Sequence, residues 1–587
     1  MVLLRFCFCW LFVCFAITDV VDATGAYLTH SLVKIRPFES VSGKDSVSLS
    51  ACRNEYESMQ VILVGQLDDA NVSMEIPWPC SKNICHVIYR VEYLNITDVS
   101  GCQGNVGMWP DALIPHMDVF YNESRRGFPI HVPQNENRVV WIDVFIPPET
   151  MPGVYEGKVS VRSSSLSKPV KLSYTVTVWS ATLPSKSSFV TSFGFNSTAA
   201  LLAHNQSNNA TAKVALTRLY LESALMNRIT LGNFLDSDIA INSRNRIHWQ
   251  TIKSNWQQFF FSTDLPFGLQ GAAVTSISVP TPFCWNFSNV NPACDKKEQV
   301  SFWKEVSNYF DNESMSPLLY DYTFDEPKNE DAWNNICDRV HNLRKANSTL
   351  KSLVTTEINK ARRHNVSALI DILVPIINYV DPKPGCNNTQ NNTQCNSYDT
   401  CKYLWWYQSC MSHGCEREPD CNDGNGCSKD WPSYMIDRSA ISNRVMSWLS
   451  YLYEMQGELY WGTNYIDEIG DAWKDQFHYE GNGDGTLFYP GYPTKIGGNH
   501  SIPIESIRMK QIRDGLEDLE MFRLLETQNG SRQAVLDLIK DVVHSTFSFT
   551  DNPDVMLKAR QTVGNKLQDH SHENICTFMY MKSLSLP

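Results

Sequence analysis

Two carboxylates stand side by side where an apolar run ends, in Leu318-Leu319-Tyr320-Asp321-Tyr322-Thr323-Phe324-Asp325-Glu326-Pro327. Paired acids suit glycoside hydrolysis. One is protonated and assists the leaving oxygen, while the other stays ionised and stabilises positive charge. Neighbours on a regular strand point to opposite faces. Asp325 and Glu326 therefore share a pocket only if the chain bends between them, and Pro327 both restricts Glu326 and helps end the strand. The plain alternative is a helix cap followed by a surface acid. Two aromatic clusters add to the pattern: Trp405-Trp406-Tyr407, and Tyr460-Trp461 with Asn464 nearby. Rigid aromatic planes bury the flat C–H faces of sugar rings well, although such rings also serve as core. The run Gly481-Asn482-Gly483-Asp484-Gly485 lacks the lysine of a phosphate loop, so Asp484 is read as a pocket hydrogen-bonder or a turn residue. There is no H-E-x-x-H and no G-x-S-x-G, so zinc-protease and serine-hydrolase chemistry lack support. No cofactor and no metal are expected.

Side chains of this kind need a scaffold that brings several strand ends together. Short apolar segments alternate with amphipathic helical ones from residue 185 onward. The strands are expected at Phe189–Phe195, Ile229–Phe234, Ala272–Val279, Leu318–Phe324, Ser352–Thr356, Leu369–Ile376, Tyr403–Gln408 and Glu458–Asn464. That number closes a (β/α)8 TIM-type barrel, whose active site lies at the C-terminal strand ends. Phe302, Val306, Tyr309 and Phe310 mark one intervening helix, and Ile512, Leu516, Leu519 and Phe522 mark a long helix after the eighth strand. Before residue 184 the period is two. Tyr155, Gly157, Val159 and Val161 alternate with polar residues, as do Val170, Leu172, Tyr174, Val176 and Val178. This predicts an antiparallel β-sandwich with one wet face. The expected organisation is a signal peptide over 1–23, a β-sandwich domain over 24–184, and a catalytic barrel over 185–587 with a Cys-rich insertion at about 383–430.

The chain has 587 residues, too many for one core. Its formal charge of -13 argues against nucleic acid, whose binding needs clustered Lys and Arg. It leaves neutral sugars open as substrates. Arg5, the apolar run Phe6 to Ile17 and the small residues near Ala23 read as a cleaved export signal. No later segment is apolar enough to span a bilayer; Ala368 to Val380 is greasy but short, and reads as a buried strand. N-x-S/T sequons recur from Asn71 to Asn529, as on a secretory glycoprotein. Cys386, Cys395, Cys401, Cys410, Cys415, Cys421 and Cys427 crowd one stretch. In an oxidising compartment they predict a disulfide-stapled loop rather than a zinc site. An odd cysteine count after signal removal leaves at least one thiol free or paired between chains. The expected location is extracellular or the lysosomal or endomembrane lumen.

Taken together, the motifs resemble glycoside hydrolase family 123, the β-N-acetylgalactosaminidases. The resemblance covers nearly the whole mature chain. It rests on Arg53-Asn54-Glu55-Tyr56-Glu57, Trp109-Pro110-Asp111-Ala112-Leu113-Ile114-Pro115 and Gly153-Val154-Tyr155-Glu156-Gly157 in the first domain. In the second it rests on Asp325-Glu326, Leu404-Trp405-Trp406-Tyr407, Tyr460-Trp461-Gly462, Gly483-Asp484-Gly485-Thr486-Leu487-Phe488-Tyr489-Pro490-Gly491, and Ser506-Ile507-Arg508 through Arg513-Asp514-Gly515-Leu516-Glu517-Asp518. The family implies a retaining, substrate-assisted mechanism in which the C2 acetamido oxygen attacks C1. By that resemblance Asp325 orients the acetamido group and Glu326 is general acid, then base. Such enzymes are exceptions to the two-carboxylate scheme. The Cys-rich insertion departs from the pattern and would stand over the active-site mouth. The rival readings are a hexosaminidase of N-acetylglucosamine or endo specificity, and an inactive secreted carbohydrate-binding protein on the same fold.

Overall fold

A computed structural model describes residues 25–583, apart from 42, 81–83, 102, 207–209, 236–246, 281–295, 313–317, 347–348, 382–401, 411–430 and 466–469. The expected signal segment and most of the Cys-rich insertion lie outside the described residues. Cys410, inside that insertion, is disulfide-bonded. A further disulfide, Cys80–Cys85, had no distinctive signal in the sequence. Cys52 and Cys337 are free thiols.

The N-terminal strands are β1 (Gly25–His30), β2 (Ser46–Arg53), β3 (Glu55–Val64), β4 (Leu67–Met74) and β5 (His86–Ile96). They continue with β6 (Gly107–Pro115), β7 (Ile130–Val132), β8 (Arg138–Ile146), β9 (Gly153–Arg162) and β10 (Val170–Thr182). They form two five-stranded sheets, ordered β1-β3-β8-β5-β6 and β2-β10-β9-β4-β7. Met59, Val61, Val140 and Ile142 of the first sheet meet Leu172, Tyr174, Val176 and Val159 of the second in one core. The sandwich is mixed rather than wholly antiparallel, because β2 runs parallel to β10. β9 and β10 show the period-two pattern because their outer face is wet. β3 and β8 are buried on both faces: their second face, with Tyr56, Trp141 and Phe145, packs into the core of the following domain.

Eight parallel strands follow: β11 (Val190–Gly194), β12 (Leu231–Gly232), β13 (Ser276–Ser278), β14 (Leu318–Asp325), β15 (Lys351–Thr355), β16 (Ile372–Leu373), β17 (Tyr403–Trp406) and β18 (Gly457–Tyr460). Each lies within or beside a predicted segment. Their order is β12-β11-β18-β17-β16-β15-β14-β13, a nearly closed barrel with a seam between β12 and β13. Threonine side chains bridge the seam. Thr230 Oγ1 and Thr275 Oγ1 lie 3.0 Å apart, and the Thr275 N–H donates to Thr230 Oγ1 at 2.9 Å. The Thr191 N–H donates to Thr275 Oγ1 at 3.0 Å.

The helices are α1 (Ser197–Ala203), α2 (Ala210–Met226), α3 (Trp249–Phe261), α4 (Lys296–Asn312), α5 (Glu330–Lys345) and α6 (Ile358–Arg363). Then come α7 (Ala440–Arg444), α8 (Met446–Leu452), α9 (Pro493–Ile496), α10 (Ile507–Asn529), α11 (Arg532–Ile539) and α12 (Pro553–Ser583). A strictly alternating (β/α)8 plan is not what the described residues form. The apolar stretch around β16 supplies two strand residues flanked by 3-10 turns at Ser367–Leu369 and Ile377–Tyr379.

Helix α10 joins the two domains. Ser506 caps it by accepting from the Met509 N–H, and Gly530 ends it in the left-handed region. Its apolar residues are buried as the spacing predicts, but so are its charged ones. Arg508 pairs with Asp111 at 2.8 Å, Arg513 with Asp143 at 3.0 Å, and Glu517 with Arg228 at 2.9 Å. Asp518 receives both Arg444 and Arg560, and Arg560 also reaches Glu55 and Glu57 of β3. Burial works against ionising Asp143, yet Arg513 and Lys510 beside it hold its carboxyl below the usual range. Deleting one partner of such a buried pair leaves an uncompensated charge and costs about 3–5 kcal/mol. Gly515 is required at the crossing with α7, where a Cβ would stand 2.5 Å from the Arg444 carbonyl oxygen.

Glu458 on β18 is buried, no cation pairs with it among the described residues, and the Tyr434 hydroxyl donates to it at 2.5 Å. Burial pushes its pKa up to about 8, with the Tyr434 hydrogen bond opposing. The unfolded carboxyl titrates near 4.5. Between these values the folded protein holds a proton that the unfolded chain does not. This contribution is therefore full below pH 4.5 and is lost as the pH rises toward 8. The expected result is a Tm that falls from pH 5 to pH 8 more steeply in the wild type than in Glu458→Gln. Equal slopes would remove Glu458 as a source.

Candidate active site

Strand β14 carries the acid pair to the C-terminal end of the barrel. Its register against β15 shifts between Tyr322 and Phe324. Glu326 then adopts φ +42°, a left-handed conformation that costs a bulky residue about 1–3 kcal/mol. That bend answers the problem posed by strand alternation: Asp325 and Glu326 open into the same cavity of about 260 Å³. Asp321, lower on the strand, points elsewhere and is bound by Arg339 at 2.6 Å, fastening β14 to α5.

Thr355, ending β15, holds both acids. Its hydroxyl donates to Asp325 Oδ1 at 2.7 Å and accepts the Glu326 N–H at 2.8 Å. The Tyr322 hydroxyl donates to the same Asp325 oxygen at 2.9 Å. Burial lifts the Asp325 carboxyl above its ordinary value; the bonds from Thr355 and Tyr322 oppose this, and the Glu326 charge adds to it. On the far side the Tyr407 hydroxyl donates to Glu326 Oε1 at 2.5 Å. Each carboxyl thus has its own hydrogen-bond partners. Among the described residues no three His, Cys, Asp or Glu side chains converge as a metal site requires.

The remaining wall is aromatic and polar. Tyr460, Trp461, Tyr465, Tyr320 and Asn233 line it. Of the residues expected in the site, Asp325, Glu326, Tyr407, Tyr460 and Trp461 meet there. Trp405, Trp406, Asn464 and Asp484 do not line the cavity. Trp405 is in the barrel core, edge-on to Tyr320 at 5.7 Å, a layer below Tyr407. Trp406, on the opposite face of the strand, donates from Nε1 to Ser450 Oγ at 3.1 Å. Period-two alternation leaves only Tyr407 of that trio at the rim. Asn464 accepts from the Asn196 N–H and donates to the Asn196 carbonyl, tying two loops together.

Three comparisons with known proteins bear on this geometry. No curated protein sequence matches the chain. The profile of the glycoside hydrolase 123 catalytic domain matches residues 299–525, which contain both acids, Trp461 and most of α10. The segment 299–525 is thus similar to a glycoside hydrolase 123 catalytic domain, and the chain is a glycoside hydrolase. A solved family 123 glycoside hydrolase from Clostridium perfringens aligns with TM-score 0.64 at 13% identity, over 95% of this chain and 100% of that one. It has the same overall fold. A β-glucuronidase from Parabacteroides merdae aligns with TM-score 0.23 at 8% identity, over 74% of this chain and 47% of that one. At that score it carries no argument.

Within the matched segment, Tyr322 and Thr355 escaped the sequence reading. Both had a signal: Tyr322 precedes Asp325 by three residues, and Thr355 is next to last in the predicted strand Ser352–Thr356, near the strand end where site residues gather. Asp484 is buried behind Trp461. Its Oδ1 accepts from Trp461 Nε1 and from the Tyr460 hydroxyl, both at 3.0 Å, and Oδ2 accepts from Ser409 at 3.1 Å. Gly485 has φ +70°, and a Cβ there would meet the Trp461 ring at 2.2 Å. The glycine-rich run is a cradle for Trp461. Asp484→Ala is expected to lower kcat/KM about ten- to a hundredfold, as misplacement near a reacting centre does. Asp484→Asn keeps an acceptor oxygen and is expected to recover most of that loss. A loss traced only to a lower Tm, with normal kinetics in the folded fraction, would make Asp484 purely structural.

Proposed function

We propose that this chain is a family 123 glycoside hydrolase, a retaining exo-enzyme that removes terminal β-linked N-acetylhexosamine, with N-acetylgalactosamine preferred, by substrate assistance. The observation that carries the reading is the placement of Asp325 and Glu326 as chain neighbours opening into one cavity. Ordinary retaining enzymes place their carboxyls on either side of the sugar, about 5–5.5 Å apart. Successive residues on one strand end supply no group for the opposite face, so the nucleophile comes from the substrate. In this reading the C2 acetamido oxygen attacks C1. Asp325 orients the acetamido N–H and stabilises the positive charge of the oxazolinium-like intermediate. Glu326, on the side of Tyr407, protonates the departing oxygen and then deprotonates the water that opens the ring. Trp461 and Tyr460 give the sugar an apolar wall.

The Clostridium perfringens structure is described in terms of glycolipid glycan hydrolysis, and glycoconjugate glycans are accordingly the proposed substrate class here. Among the described residues no helix is long and apolar enough to cross a membrane. The signal-like N-terminus, the sequons and the clustered cysteines support action in the extracellular space or an endomembrane lumen. Aryl β-glycosides of N-acetylgalactosamine, N-acetylglucosamine, galactose and glucose test the reading. Turnover is expected only for the two acetamido sugars, fastest for N-acetylgalactosamine. Equal turnover of galactoside and N-acetylgalactosaminide would overturn substrate assistance.

A further inference from the structure

Glu326 borders two cavities. The first holds Asp325 and the aromatic wall. The second, about 240 Å³, lies on the other side of Glu326 and shares with the first only Glu326, Thr355 and Tyr407. Its character is different. Lys328, Lys360, Glu357 and Thr356 line it, with Ile376 and Tyr379 as its larger nonpolar surfaces. Accepting the proposed function, the group that protonates the glycosidic oxygen stands between the departing halves of the substrate. The sugar that is released occupies the cavity with Asp325 and Trp461. The group to which it was attached then occupies the second.

The charges of that second cavity do not cancel. Lys360 pairs with Glu357 at 2.5 Å and lies over the Tyr379 ring at 5.3 Å, so both are held in place. Lys328, two residues after the acid, is exposed; its charge acts on Asp325 in the neighbouring cavity, and no ion pair within 4 Å is seen for it among the described residues. As the general acid of the proposed mechanism, Glu326 carries the proton that it donates and adds no charge at that stage. One positive charge remains over, in a cleft with polar walls. We infer that the second cavity is an aglycone site selective for an anionic sugar, a uronate or a sulfated hexose, engaged by Lys328 with Lys360 behind it. A carboxylate or sulfate there receives charge-assisted hydrogen bonds that a neutral hexose cannot use.

The test compares two disaccharides with the same terminal β-N-acetylgalactosamine, one on glucuronic acid and one on glucose, beside an aryl N-acetylgalactosaminide. A third, on a 6-sulfated hexose, separates carboxylate from sulfate recognition. The expected kcat/KM for the better anionic disaccharide exceeds that for the neutral one about tenfold, and the ratio shrinks with added salt. In Lys328→Gln/Lys360→Gln the ratio falls toward one. Should that double variant be unstable, the salt dependence and Lys328→Gln alone still decide. Equal or lower rates on both anionic disaccharides, with the aryl glycoside still cleaved, would overturn the anionic site and leave the proposed function standing. Failure to cleave the aryl glycoside would overturn both.

Discussion

Glu326→Gln is expected to lower kcat/KM about 10²–10⁴-fold on N-acetylhexosaminides with poor leaving groups. The loss is expected to be much smaller on aryl glycosides whose phenolate departs without a proton. The glutamine keeps the size of the side chain and can still accept from the Tyr407 hydroxyl, so the bend at residue 326 and the Thr355 contact are preserved. What it lacks is a transferable proton. Steady-state kinetics on an aryl series of graded leaving-group pKa would show a steep dependence in the variant and a shallow one in the wild type. Equal losses across the series would take the general acid away from Glu326.

Asp325→Asn is expected to behave differently, with a loss of about 10²–10³-fold on good and poor leaving groups alike. Tyr322 and Thr355 both donate to one oxygen of Asp325. In the proposed mechanism its other oxygen serves the acetamido group and the charge that develops there. The asparagine amide carries no charge, and it leaves that positive charge uncompensated whatever group departs. The same logic predicts that a 2-hydroxy glycoside is a very poor substrate of the wild type, because it has no internal nucleophile. Mass spectrometry of the enzyme during turnover provides the second check. A covalent sugar on Asp325 or Glu326 would return the enzyme to the ordinary two-carboxylate scheme.

Much of this was legible in the residues alone. The segments of all eight parallel strands could be read because each is a short apolar run bounded by polar turns, and the acid pair because it stands where one of those runs ends. The wet outer faces of β9 and β10 made the sandwich readable for the same reason: a strand with one face in water must alternate. The two-sided burial of β3 and β8 was not readable. Nothing local says that their second face meets another domain. Nor did Glu55, Glu57, Asp111 and Asp143 announce partners in Arg508, Arg513 and Arg560, hundreds of residues away.

The site divides along the same line. Residue type and strand period determined that Asp325 and Glu326 were candidates and that aromatic residues would stand near them. Only the tertiary structure decided which aromatics face the cavity. Trp405 fell one layer below it and Trp406 on the outer face of the barrel, while Tyr407 reached Glu326. Only the tertiary structure placed Thr355 between the two acids and Asp484 behind Trp461. Composition and period are properties of a segment and survive without its neighbours. A hydrogen bond between strand ends depends on register, bend and the depth of each layer, and these are set when the strands close around one core.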